Sequence, residues 1–191
     1  MVKIGILGLQ GDVREHARAL RAAGAEPVVV KLPDRLHDVD ALVIPGGEST
    51  TIGKLLERSD LLEPLRERAA QGLPLYGSCA GAILMAREIR GGQEVPQRVP
   101  VLDVGIRRNA YGRQVDSFET DLRVKELDEP FRAVFIRAPV IEETGPGVEV
   151  LAEVDGKPVL VRQGRMLAST FHPEMTDDAR IHQMFVSMVA A

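Results

Sequence analysis

Up to residue 90, short aliphatic runs alternate with longer stretches in which apolar residues recur every third or fourth position. The run Val2–Leu9 is nearly continuous and predicts a strand covered on both faces. Val13, Ala17 and Leu20 then fall at helical spacing within Asp12–Ala23, and Gly24 stands where such a helix would stop. Pro27–Lys31, Ala41–Ile44 and Leu73–Tyr76 predict three further strands. Between the last two, residues 50–71 have helical period broken at Ser59-Asp60, with Asp60 the expected cap of the second piece. Ala80–Ile89 predicts one more helix. Strands alternating with helices in this way predict a parallel sheet with crossover helices, of the doubly wound kind.

Beyond Pro100 the period shortens. Segments at 101–106, 115–124, 132–137, 148–154, 158–163 and 166–171 are brief and often β-branched, and turns such as Gly145-Pro146-Gly147 and Asp155-Gly156 separate them. They predict antiparallel strands added to the same sheet. A last helix over Asp177–Val189 carries Ile181, Phe185, Met188 and Val189 on one face, and 90–100 reads as a loop. The expected fold is α/β: a flavodoxin-like doubly wound sheet, parallel in its first half and antiparallel in its second.

Composition narrows the classes. At 191 residues and 45% hydrophobic, residues 1–191 make one domain of ordinary size. Lys and Arg total 24 against 28 Asp and Glu, a net charge of -4 that asks for neither nucleic acid nor an anionic membrane as partner. The apolar start runs into Gly11 and Asp12, too soon for a membrane span and without the cleavage site of a secretory leader. The one Cys can form neither an intrachain disulfide nor a thiolate cluster, which points to a reducing, cytoplasmic setting.

That cysteine is a buried small hydrophobe or a nucleophile. Cys79 lies in Gly77-Ser78-Cys79-Ala80-Gly81, between the fourth strand and a helix. A strand–turn–helix elbow presents its central residue on a tight bend, and the flanking glycines relieve the crowding. The helix N-terminus favours a thiolate there. Of His16, His37, His172 and His182, only His172 has a carboxylate placed to orient it: in Phe171-His172-Pro173-Glu174, Pro173 favours an extended His172, and residues i and i+2 of an extended segment share a side. Cys79, His172 and Glu174 thus read as nucleophile, base and orienting acid. His16 and His182 read as structural histidines on helices, and His37 lies in a polar loop. Pro45-Gly46-Gly47-Glu48-Ser49 ends the third strand on the same carboxyl edge of the sheet, so the amides of Gly47 and Ala80 are the candidate oxyanion hole. A capping loop with Ser49 as N-cap is the plainer reading of that stretch and is compatible with it.

The chain resembles the class I, or triad, glutamine amidotransferases, and among them the glutaminase subunits of pyridoxal 5′-phosphate synthases. The resemblance is carried by Leu7-Gly8-Leu9-Gln10-Gly11 with Arg14-Glu15-His16, Pro45 to Thr51, Gly77 to Gly81, Arg108-Asn109, Gly112 to Glu119, Phe135 to Pro139, and Phe171 to Glu174. It implies hydrolysis of L-glutamine through a γ-glutamyl thioester on Cys79. It also implies that Gly46, Gly47, Glu48, Arg108, Ile136 and Arg137 bind the substrate, and that Gln10 lies near the Gly46-Gly47 loop. The chain would need no metal and no cofactor, pyridoxal 5′-phosphate being the product of the complex. The implied partner is a separate (β/α)8-barrel synthase subunit in a large hetero-oligomer. A glutaminase serving another synthase, a cysteine peptidase on a flavodoxin-like sheet, and a regulatory module that kept the fold are the rivals.

Overall fold

The computed structural model describes residues 1–108 and 117–191. The strand expected over 115–124 starts outside the described residues, as do Asn109 and most of the Gly112 to Glu119 motif. The elements in order are β1 Lys3–Leu7, α1 Val13–Ala22, β2 Glu26–Val30, β3 Ala41–Ile44, α2 Ser49–Arg58, α3 Leu62–Ala70, β4 Leu75–Ser78, α4 Ala80–Met85, β5 Ala86–Arg90, β6 Leu102–Arg107, β7 Phe118–Leu122, β8 Phe131–Phe135, β9 Val140–Thr144, β10 Glu149–Val154, β11 Lys157–Gln163, β12 Met166–Ser169 and α5 Arg180–Ala190.

Seven strands form the central sheet in the order β10-β11-β12-β4-β3-β1-β2. Period-2 alternation divides its apolar residues between two cores. Leu42, Ile44 and Leu75 face one side, with Ile52 and Leu56 of α2, Leu65 of α3, and Ile83 and Leu84 of α4. Ala41, Val43, Ile4 and Ile6 face the other, with Ala17 and Leu20 of α1 and Ile181 and Phe185 of α5. Both faces being covered explains why these strands read as unbroken aliphatic runs.

Beyond β4 the structure departs from expectation in three places. First, the strands do not all join one sheet: β5-β6-β9 form a separate sheet and β7-β8 a two-stranded pair. Within the central sheet β10, β11 and β12 pair antiparallel, whereas β12 runs parallel to β4. Second, the helix expected to reach Ile89 stops at Met85 and continues as β5. The carbonyls of Leu84 and Met85 accept from the amides of Val99 and Val101, which takes the partners that another helical turn would use. Third, β9 was not anticipated, because Glu142 and Glu143 interrupt its apolar pattern. Cross-strand Arg107–Glu142 and Arg90–Glu143 pairs hold that charged face.

Two caps also differ. Asp60 takes a left-handed conformation at φ 56°, and Leu61, without a side-chain bond, precedes α3. The cap of α2 is Glu48 and not Ser49: its carboxylate accepts from the amides of Thr50 and Thr51 at 3.0 and 2.7 Å.

Candidate active site

β3, β4 and β12 lie side by side and parallel, so their carboxyl ends open on one edge of the sheet. Cys79 follows β4 at the N-terminus of α4 with φ 49° and ψ -101°, a conformation that L-residues avoid. The glycines around it answer to close approaches. A Cβ on Gly77 would collide with the backbone of Gly81, and one on Gly81 with the carbonyl of Ile44 in β3. The amide of Cys79 donates to the carbonyl of Ser169 at 2.8 Å, which fixes the bend against the end of β12.

The chain leaves β12 and reaches His172, whose amide donates to the Val134 carbonyl of β8 at 2.8 Å. His172 Nδ1 lies 2.7 Å from Glu174 Oε1 and 3.4 Å from Asp12 Oδ2. The meeting of His172 with Glu174 was expected, but the conformation that produces it is not fully extended: Pro173–Met175 is a 3-10 turn that swings Glu174 back beneath the ring. Burial would lower the pKa of His172, but hydrogen bonds with Asp12, Cys79 and Glu174 outweigh it and push the imidazole up to about 12. Glu174 is fully buried and pushed above the usual carboxylate range by that burial, against the pull of His172.

Cys79 and His172 line a cavity of about 380 Å³ whose other walls include Gln10, Gly47, Glu48, Ala80, Arg108, Ile136 and Arg137. A wider cleft of about 560 Å³, between Arg123–Pro130 and β10, holds neither the cysteine nor a histidine. Ala80 opens α4, where a helix leaves its first amides without internal partners. Gly47 has φ 155°, and Gln10 Oε1 accepts from the next amide, that of Glu48, at 2.9 Å. Gly46 packs directly on the His172 ring, with no space for a Cβ.

Arg108 reaches over the N-terminus of α2: its guanidinium donates to the Gln93 carbonyl at 2.8 Å, to Thr50 Oγ1 at 3.2 Å and to Glu48 Oε1 at 3.4 Å. Partial burial opposes ionisation of Glu48, but hydrogen bonds from Thr51 and Thr50 hold it below the usual range. Arg137 has φ 44° and is exposed.

All of the expected site residues therefore border one cavity, except Gly46 and Glu174, which stand behind it against His172. Sequence reasoning missed Asp12 and Ser78. Asp12 had a signal, following Gln10-Gly11 at the end of β1; Ser78 had none beyond standing next to the nucleophile. Asp12, His172 and Glu174 each bring one possible ligand atom within 4.8 Å of the others. The 2.7 Å bond to Glu174 already occupies the imidazole nitrogen that would have to coordinate.

Residues 6–191 match the SNO glutamine amidotransferase family. The chain belongs to this family. It is thus a glutamine amidotransferase, an enzyme that takes ammonia from the side-chain amide of glutamine. A protein of Frankia casuarinae named pyridoxal 5′-phosphate synthase subunit PdxT is 59% identical over 188 residues, covering 98% of this chain and 94% of that protein. The protein of the same name from Mycobacterium tuberculosis H37Rv is 58% identical over 194 residues, covering 99% and 97%. A crystal structure described as a glutamine amidotransferase superposes with a TM-score of 0.92 at 51% identity, over 98% of this chain and 99% of that one. A putative GMP synthase subunit from Thermoplasma acidophilum, 19% identical with a TM-score of 0.70 over 100% and 94%, shares the fold.

Proposed function

We propose that the chain is the glutaminase subunit of a pyridoxal 5′-phosphate synthase, with Cys79, His172 and Glu174 as its catalytic residues. The observation that carries the assignment of residues is their convergence: a strained thiol and a carboxylate-bound imidazole share one cavity at the carboxyl edge of the sheet. The names of the relatives support the choice of synthase over other ammonia acceptors.

In the first half-reaction Cys79 Sγ, its proton already resting on His172 Nε2, adds as the thiolate to the side-chain amide carbon of glutamine. The oxygen that becomes negative is met by the amides of Gly47 and Ala80. Collapse breaks the carbon–nitrogen bond as His172 returns the proton to the departing nitrogen, leaving ammonia and a γ-glutamyl thioester. Water then adds to the thioester, its proton goes to His172, and the Cys79 thiolate leaves as glutamate is released. Glu174 keeps His172 Nδ1 protonated throughout, so that Nε2 is the nitrogen that exchanges protons. Gly46, Gly47, Glu48, Arg108, Ile136 and Arg137 bind the substrate, a planar guanidinium being suited to its α-carboxylate.

These steps use neither a metal nor a cofactor of the chain's own, pyridoxal 5′-phosphate being the product of the complex. The ammonia acceptor is a separate (β/α)8-barrel subunit in a large cytoplasmic hetero-oligomer, since ammonia released into water would be protonated before it could react. Among the described residues no helix is long and apolar enough to cross a membrane.

The test is covalent labelling by the glutamine analogue 6-diazo-5-oxo-norleucine, with the adduct mapped by peptide mass spectrometry. The expected adduct is on Cys79, and a label on any other residue overturns the assignment. Ammonia release should rise on adding a pyridoxal 5′-phosphate synthase barrel subunit. Activation by an unrelated synthase and not by that one would overturn the choice of partner.

A further inference from the structure

Behind Glu174 lies a buried polar chain that the reaction above does not use. His16 on α1 and His182 on α5 are both fully buried, as is Ser78 at the end of β4. His16 Nδ1 is 2.9 Å from His182 Nε2, and His16 Nε2 is 3.0 Å from Ser78 Oγ. Ser78 Oγ accepts from the Gly46 amide at 3.1 Å, and it lies 3.5 Å from Glu174 Oε1. His16 Nε2 itself is 3.5 Å from the same carboxylate oxygen. Three elements distant in sequence thus converge on Glu174 Oε1, the same oxygen that meets His172 Nδ1.

Only one assignment of protons satisfies this chain. Burial lowers the pKa of both histidines, that of His182 to about 4, so each ring is neutral with one N–H. If the His16 proton sat on Nδ1, it would donate to His182 Nε2. The proton of His182 would then sit on its Nδ1, which is buried without a partner among the described residues. The Ser78 hydroxyl would also donate to the bare Nε2 of His16, leaving Glu174 Oε1 without a donor from this chain. If instead His16 is protonated on Nε2, His182 Nε2–H donates to His16 Nδ1, and the buried Nδ1 of His182 is an empty acceptor, far cheaper to strand than a donor. His16 Nε2–H then donates to Ser78 Oγ. Ser78, with one donor and two acceptor sites, accepts from His16 and Gly46 and turns its O–H toward Glu174 Oε1.

We propose that His16, oriented by His182 and acting through Ser78, is a positioning residue for the glutaminase reaction: it directs donors onto Glu174 Oε1 and holds that oxygen, ionised, against His172 Nδ1. His16 has this role only if Cys79, His172 and Glu174 do the chemistry. Asp12, the Arg18 guanidinium on the Glu174 carbonyl at 3.1 Å, and Tyr76, edge-on to both rings, complete the polar surroundings.

The tautomers are read on the unaltered chain, labelled with 15N-histidine, by long-range proton–nitrogen correlation at neutral pH. His16 and His182 should both be protonated on Nε2. A His16 protonated on Nδ1, or either ring charged, overturns the proposal whatever the variants do. Kinetics give the second readout, as ammonia release by the chain with its synthase subunit. His16→Leu should lower kcat about tenfold to a hundredfold, the loss of one hydrogen-bond route to a charged oxygen, with KM within about twofold. His16→Gln, whose amide can place an N–H where Nε2–H stands, should recover most of that loss. Wild-type kcat in His16→Leu, a loss confined to KM, or equal losses in the two variants would reduce His16 to a packing residue. Failure of the diazo analogue to label Cys79 sinks the triad, whereas the tautomers test His16 by themselves.

Discussion

Replacing Glu174 by Gln removes one charge without changing the shape of the side chain, and the structure indicates how large the effect should be. Glu174 Oε1 is 2.7 Å from His172 Nδ1, with the carboxylate fully buried and the imidazole nearly so, and the gross attraction to a protonated imidazole is about 6 kcal/mol at an effective dielectric constant near 20. Burying the carboxylate offsets much of this. What a hydrogen bond to a charged partner retains is about 1.5–3 kcal/mol, a factor of roughly 10 to 150 in rate if it is lost only when the imidazolium forms. Orientation adds a second penalty. With its oxygen on His172, the glutamine would place its NH2 where Oε2 now lies, buried and without a partner among the described residues. With its NH2 on His172, it would require a bare Nδ1 and put the proton on Nε2, where it blocks transfer from Cys79. In a serine protease triad the corresponding wrong tautomer lowers kcat about 10⁴-fold. The expected fall in kcat is therefore about 10²- to 10⁴-fold, measured as ammonia release with the synthase subunit present. KM should stay within about threefold, because Glu174 does not line the cavity. The melting temperature should change little, since removing a buried charge relieves desolvation as it breaks the pair. A kcat within about threefold of the parent, or a loss wholly in KM, would refute the orienting role.

Two further outcomes are expected. Cys79→Gly and Cys79→Ala should both be inactive, but the glycine variant should be the more stable by about 1 kcal/mol in urea denaturation, because only glycine adopts φ 49° and ψ -101° without strain; an alanine variant as stable as the glycine one would contradict this. Stability should also peak near neutral pH. As pH falls from 6.5 toward about 4, the unfolded chain protonates His182 before the native chain does, which removes about 3 kcal/mol at 1.36 kcal/mol per pH unit, and His16 acts in the same direction. As pH rises above 6.5, the unfolded chain loses the His172 proton that the native chain keeps until about 12, so stability falls on that side as well. Urea midpoints across the pH range measure both limbs, and an acid limb unchanged in His182→Leu would show that His182 does not titrate on unfolding.

The parallel half of the fold was legible because its strands are buried on both faces, so that aliphatic runs, helical periods and Gly24 all mark the same boundaries. The chain beyond β4 was less so. There the partners are non-local: α4 stops at Met85 because the amides of Val99 and Val101 take its carbonyls, and β9 holds two glutamates because arginines on β5 and β6 neutralise them. Neither cause is visible in a local window. The site follows the same division. Cys79, His172 and Glu174 could be found because an elbow and an i, i+2 pair are local patterns. Asp12, Ser78 and the His16–His182 pair depend on β1, α1, β4 and α5 meeting, and a histidine on a helical period reads as packing whether or not its ring nitrogens are used.

Ser78 shows what this arrangement accomplishes. Ser78 is the last residue of β4 and is fully buried, so the side chain just before the nucleophile lies in the core beneath the cavity. A hydroxyl there meets both the Gly46 amide, at the root of the proposed oxyanion loop, and Glu174, at the root of the triad. Alanine would fit the same space, but it would leave the buried Gly46 amide without that acceptor and His16 Nε2–H without its 3.0 Å partner. The two halves of the glutaminase machinery, one stabilising the oxyanion and one moving the proton, are thus tied together through the residue adjoining the nucleophile. A shift of the Gly46-Gly47 loop would therefore be felt at Glu174 through a single hydroxyl.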